Sequence, residues 1–285
     1  MRKQLTKLIA LTLAGLLTLT GCSNMADTPA GQQPPTDVNS LLGQAEDTLK
    51  DKLGQYTGQT GQPNTTITGD VPDWTLTQYP DYYTVTGKAN YTNISIPQAG
   101  TISYATPDQY GRSGYAIGVI TKQMRDNGSD RDRNMPDTIT GWPARNPKVT
   151  INLTEQDTCS MPKASRPKNS CYSGYMFNKS HLIAKSLGGE DSPTNMVTGT
   201  RTQNVGRNQP AGGMAYTETE ARDWLDRNPN GTITYMATPV YEGSELLPRY
   251  VTVDIQSSDK SIDQHVIVWN TANGYDIDYQ NGGIK

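Results

Sequence analysis

Histidine is nearly absent from this chain: two residues in 285, His181 and His265. Cysteine is almost as scarce, with three. These shortages argue against a zinc site, which needs several nitrogen or sulfur ligands close together. There is no HExxH, no H-x-E followed by P-C-x-x-C and no cysteine cluster, so zinc proteases and zinc deaminases drop out. No G-x-S-x-G elbow occurs, which removes the α/β-hydrolase reading. The apolar run Leu8 to Leu19 is too short for a comfortable membrane span. If a metal is used, these absences leave a hard, mostly hydrated ion held by oxygen.

What is present at the N-terminus points outward. MRKQLTKLIALTLAGLLTLTGC opens with Arg2, Lys3 and Lys7, runs through the apolar stretch and ends Leu19-Thr20-Gly21-Cys22. The order is that of a signal peptide. Its ending is similar to a bacterial lipobox, with 1–21 removed and Cys22 lipidated; a plain secretory signal is the alternative. Attached acyl chains would hold the protein on the extracellular face of the cell membrane, each buried methylene adding roughly 0.8 kcal/mol. Cys159 and Cys171 then remain as an even pair in an oxidising compartment. A disulfide between them would close a short loop, worth about 3 kcal/mol; two free buried thiols are the alternative. Residues 22–70 are rich in Gly, Gln, Thr, Pro, Asn and Asp and read as a flexible tether. Within it, Leu42, Ala45, Leu49 and Leu53 keep the spacing of one marginal helix. The folded part is then 71–285, a single domain of ordinary size.

Charge is uneven along the chain. Over 22–109, three basic residues stand against nine acidic ones; over 110–225, fifteen against eleven; over 226–285, four against eight. An acidic protein is a poor starting point for a nucleic-acid binder. A polyanionic partner would nonetheless meet the middle third, while a mixed solvated surface is the plainer reading. Short Thr/Tyr/Val/Ile runs (YYTVTG, ANYTNISI, GTISYA, then GRSGYAIGVI) read as strands. A polar loop is expected over 123–138, a strand with a polar end in GYMFNKSH and a helical turn in LIAKSLGG. Residues 195–208 fit helix or loop. YTETEARDWLDRNPNG reads as a helix with Ala221, Trp224 and Leu225 on one face. TITYMATPVYE, RYVTVDIQS and HVIVWN read as antiparallel strands. The expectation is an α+β fold with a central antiparallel sheet and flanking helices.

His181 follows Asn178, Lys179 and Ser180, polar residues where a core strand would be apolar. A neutral imidazole is the natural general base near neutral pH. His265, alternating with strand residues in QHVIVW, reads as structural or surface. Asn204, with Gln203, Asn208 and Gln209 around it, could anchor a hydrated Mg²⁺ through one amide oxygen, although a turn or cap is the commoner use of such an asparagine.

The segment Asn178-Lys179-Ser180-His181, then Asn195, Asn204 nine residues later and Glu218 opening the next helix, resembles the DNA/RNA non-specific endonucleases, in their streptodornase and DNA-entry-nuclease branch. TGTRTQNVGRNQPAGGMAYTE, YGRSGYAIGVITKQM and TGW extend the resemblance over roughly 100–280. Where the family carries D-R-G-H, this chain has Asn178, Lys179 and Ser180 before His181. Lys179 keeps the charge of the arginine but loses its bidentate fork.

The resemblance implies a ββα-metal (His-Me finger) motif and a metal-dependent endonuclease acting on DNA, with RNA left open as a second substrate. It gives His181 the proton of the attacking water and gives Asn204 the Mg²⁺, with Mn²⁺ as a substitute. A water on that metal can protonate the 3′ leaving oxygen. Asn195 would orient His181 or the phosphate, Glu218 would hold metal-bound waters, and Lys179 would steady the phosphate. Arg112, Arg201 and Arg207 are expected phosphate contacts from their place in the basic third alone. No protein partner is expected. A non-catalytic lipoprotein capturing nucleic acid for an uptake system is the competing reading. A glycan-binding lipoprotein, resting on the Tyr-rich strands around 79–115, is a third.

Overall fold

The computed structural model describes residues 71–285. The expected signal segment, tether and Cys22 lie outside them. Strands β1 (Tyr83–Gly87), β2 (Ile102–Tyr104), β3 (Ala116–Thr121), β8 (Thr232–Val240), β9 (Tyr250–Ser257) and β10 (Asp263–Trp269), numbered in chain order, form one sheet in the order β1-β10-β9-β8-β3-β2. Its strand pairings are all antiparallel. Alternation decides which face is buried. Val251, Val253 and Ile255 of β9, with Val266 and Val268 of β10, enter the main core. Over them lies helix α3 (Met214–Arg227), which brings Met214, Ala221, Trp224 and Leu225 down at helical spacing. Each large side chain so buried contributes about 1.5–3 kcal/mol.

The opposite face carries Asp254 and His265, directly paired across β9 and β10. The His265 Nδ1 lies 2.7 Å from Asp254 Oδ1, and that contact raises the pKa of the imidazole. The same carboxylate accepts the Asn90 amide at 2.8 Å, and Asp263 accepts the Ala89 amide at 3.1 Å. ANYTNISI is therefore not the expected strand. Its first amides are spent on carboxylates projecting from the sheet, not on a neighbouring strand.

The expected polar loop 123–138 begins as a helix, α1 (Lys122–Asp130). Its ends are secured by side chains. The Thr121 hydroxyl accepts the Met124 amide. At the far end the Lys185 ammonium donates to the carbonyls of Gly128, Ser129 and Arg131, a cation placed on the negative end of the helix. Gly128 is required here, because a Cβ on it would lie 2.2 Å from the Lys185 carbonyl oxygen.

Between β3 and β8 the chain forms two ribbons. Strands β4 (Lys148–Asn152) and β5 (Cys171–Tyr175) pair in one, closed by the Cys159–Cys171 disulfide. The expected single strand GYMFNKSH breaks at Met176, and β6 (Phe177–His181) then pairs with β7 (Met196–Thr200). The chain passes straight from β7 into a short helix, α2 (Arg201–Val205), whose first turn is capped by the Thr200 hydroxyl on the Gln203 amide. This resolves 195–208 into strand and helix. The α+β class, the central antiparallel sheet and the strand-strand-helix motif are as expected.

Candidate active site

A cavity of about 950 Å³ opens where β6, α2 and α3 converge beneath the loop that follows α1. Its lining includes His181 and Lys179 from β6, Asn204 from α2 and Glu218 from α3. The fold thus gathers four expected site residues in one cleft.

His181 closes β6, and its ring is 13% exposed. Its Nε2 lies 2.7 Å from Oδ1 of Asp191. Burial holds the imidazole below its usual pKa, against the pull of the Asp191 charge. Burial would raise the Asp191 carboxyl, but the Asn134 amide at 2.7 Å and His181 outweigh it and keep it ionised. Asn204 is held by the Ser180 hydroxyl, which donates to its Oδ1 at 3.1 Å. Ser180 thus steadies the asparagine. Glu218 pairs with Arg222 at 3.8 Å, too long for a hydrogen bond. Burial pushes its carboxyl up to about 7 even though Arg222 and Arg133 act to lower it.

Lys179 reaches across the cleft. Its ammonium donates to the carbonyls of Pro136 and Asp137 at 2.6 and 2.8 Å and sits over the Trp142 ring. It fastens the loop wall to β6 and leaves one donor for a substrate.

Asn195 is bound to backbone in the turn that follows His181. It is fully buried, and its amide donates to the carbonyls of Ile183 and Glu190 while accepting the Ile183 amide. With its side-chain polar atoms committed to backbone, it shapes the turn between His181 and Asp191.

The three arginines expected from regional charge are engaged away from the cleft. Arg112 pairs with Asp108 and donates to the carbonyls of Gly243 and Glu245. Arg207 makes a two-pronged pair with Asp81. Arg201 lies over the Tyr172 ring, where burial lowers its pKa. The cleft takes its positive charge from Lys179, Arg131, Arg133, Lys185 and Arg222. Arg131 is bound to the Gly189 carbonyl. Arg133 is exposed at the rim and pairs with no carboxylate among the described residues, and its charge reaches both His181 and Glu218. Asp191 and Arg133 belong to no motif in the sequence. The only signal there is the clustered charge of RDRN and of GGED.

A strand-strand-helix unit that aims a histidine and an amide oxygen into one basic cleft, faced by a carboxylate from the next helix, defines a nuclease of the ββα-metal architecture. The DNA/RNA non-specific endonuclease model matches residues 102–281, and the chain belongs to that family. A deoxyribonuclease of Streptococcus dysgalactiae subsp. equisimilis is 33% identical, with 74% of each chain covered. The Sda1 nuclease, solved with a bound zinc ion, is 36% identical with a TM-score of 0.66, over 74% of this chain and 99% of that one. NucA from Streptococcus agalactiae, solved with a magnesium ion, shares the fold at 23% identity and a TM-score of 0.50, over 70% of this chain and 84% of that one.

Proposed function

We propose that this protein is a surface-anchored, Mg²⁺-dependent endonuclease that hydrolyses DNA with His181 as general base. The observation that carries the reading is the convergence of His181, Asn204, Glu218 and Arg133 on one cleft. Among the described residues no three His, Cys, Asp or Glu side chains cluster as a metal cage. One amide oxygen and one carboxyl instead suit a hard cation that keeps most of its waters. Asn204 would hold that ion directly, and Glu218 would accept hydrogen bonds from its waters. When bound, Mg²⁺ supplies positive charge to the phosphate and to the departing oxygen.

The chain's own groups account for the other steps. Neutral His181 takes a proton from water, and the resulting hydroxide attacks phosphorus. The bond from phosphorus to the 3′ oxygen breaks, and that oxygen takes up a proton from solvent. Arg133 contacts the phosphate oxygens, where a charged donor stabilises developing negative charge. Such a site reads backbone and not base edges, so sequence preference is slight. The L-T-G-C sequence at 19–22 supports attachment through Cys22, with 22–70 as the tether.

The test is digestion of plasmid DNA and single-stranded RNA with Mg²⁺ or with EDTA. Metal-dependent smearing of the plasmid is expected. A folded protein that retards DNA in a gel without cutting it would favour the capture reading. Cleavage of the RNA decides whether that substrate is shared.

Substitution separates the arginine of the cleft from those engaged elsewhere. Arg133→Ala is expected to lower kcat/KM about 100-fold, the scale of one lost charge-stabilising donor. Arg112→Ala should leave cleavage within a few-fold and lower stability instead. Equal activity losses would mean that Arg133 has no special place.

Glu218 makes a separate prediction about stability. Its carboxyl moves from 4.5 to about 7 on folding, so the folded state holds the proton more tightly. Stability from this group is full below pH 4.5 and is lost as pH rises to about 7. In EDTA at pH 8, Glu218→Gln should therefore be more stable than wild type. The expected gain is roughly 2–4 kcal/mol, each tenfold change in proton affinity being worth about 1.36 kcal/mol. At pH 4.5 the two should nearly coincide. Thermal melts at both values check this, and a variant less stable at pH 8 would contradict it.

A further inference from the structure

We infer that Asp191 is a positioning residue that fixes the tautomer of His181, so that Nδ1 is the nitrogen that takes the proton. The inference rests on His181 being the base of the proposed reaction. Asp191 is 6% exposed and its two carboxylate oxygens have separate tasks. Oδ1 faces His181 Nε2 at 2.7 Å. Oδ2 accepts the Asn134 amide at 2.7 Å. An ionised carboxylate accepts and never donates. Nε2 must therefore carry the hydrogen of the neutral ring, which leaves the lone pair on Nδ1.

The second oxygen ties the base to the substrate-gripping wall. Asn134 lies next to Arg133, in the loop that Lys179 fastens from the other side at Pro136 and Asp137. One carboxylate therefore sets both the ring's hydrogen and the height of this loop over the cleft. Asn195 supports the arrangement from below by bonding the backbone at Ile183 and Glu190, at either end of the turn between the two residues.

The geometry makes the isosteric amide a sharp probe. In Asp191→Asn only one side-chain atom can accept. Placing that oxygen on the Asn134 amide turns the NH₂ toward Nε2, and both bonds survive only if the ring moves its hydrogen to Nδ1. Reversing the amide would set an NH₂ against the Asn134 N–H, donor against donor, and the bond that holds the loop would be lost. The amide thus selects the tautomer that cannot accept a proton at Nδ1. The corresponding change in Ser-His-Asp hydrolases lowers kcat about 10⁴-fold through the wrong tautomer. Asp191→Ala, in contrast, frees the ring to take either form.

The experiment is nitrogen-15 correlation of the imidazole rings in the whole chain near pH 8, with cleavage kinetics beside it. Only two histidines contribute, and His265→Gln assigns them. His181 is expected as Nε2–H in the wild type and Nδ1–H in Asp191→Asn. For cleavage, Asp191→Asn should lose about 10²–10³-fold in kcat with KM within about threefold, and Asp191→Ala should lose less in kcat. A merely structural aspartate predicts the opposite order, the amide being the milder change. A wild-type His181 protonated at Nδ1, or an amide variant milder than alanine, would overturn the inference. If Asp191→Asn does not fold, the wild-type spectrum alone decides. Wild-type cleavage by His181→Ala would sink the reading of His181 as base, whereas the ring spectrum still reports the tautomer.

Discussion

Cleavage by His181→Ala is expected to fall about 10³–10⁴-fold, at the upper end of what a positioned general base contributes. Folding should survive the change. The ring closes a two-stranded ribbon outside the main sheet, and its removal does not strand Asp191, whose carboxylate keeps the Asn134 amide. The pH profile gives a second reading. Burial holds His181 below its usual pKa, so the base is already free at neutral pH. Wild-type activity should be level from neutral upward and should fall on the acid side, below pH 6.5. The residual activity of the variant should lack that acid limb. Plasmid cleavage by the variant at the wild-type rate would place the base elsewhere.

Asn204→Ala should be nearly as severe, with a different signature. A single amide oxygen anchors the proposed ion, so removing it is expected to raise the Mg²⁺ needed for half-maximal rate at least about 10–100-fold, the range seen for weaker supporting groups. Excess Mg²⁺ should restore part of the rate, which it cannot do for His181→Ala. The fully buried Ser180 hydroxyl, which now donates to Asn204 Oδ1, would lose that partner. A Mg²⁺ titration superimposable on that of the wild type would move the ligand to another residue.

The parts of the site that were legible in the sequence are those written as a local pattern. His181, Asn204 and Glu218 lie within the single run 181–218, and it is the resemblance of that run to the family that marks them, on β6, α2 and α3. The central sheet was legible from its own pattern, since β8, β9 and β10 alternate or run apolar over much of their lengths. What escaped depends on contacts between distant segments. Helix α1 has no apolar stripe to announce it and is held by Lys185, far along the chain. Arg207 and Arg133 are equally basic on paper, and only the fold shows that Asp81 has already taken one of them. The resemblance marks Asn195 as an orienting residue, and only the fold shows that its bonds go to the backbone at Ile183 and Glu190.

The disulfide on the β4–β5 ribbon has a consequence for proteolysis. Between Cys159 and Cys171 the surface is exposed at Lys163 and Lys168, attractive points for proteases that cut after basic residues. A cut there opens only the small ring. The two fragments stay joined through sulfur, and β5 remains paired with β4 and continuous with the strand that carries His181. Nicked molecules would therefore run as one band until reduced and as two afterwards, with the cleft still assembled in the unreduced form.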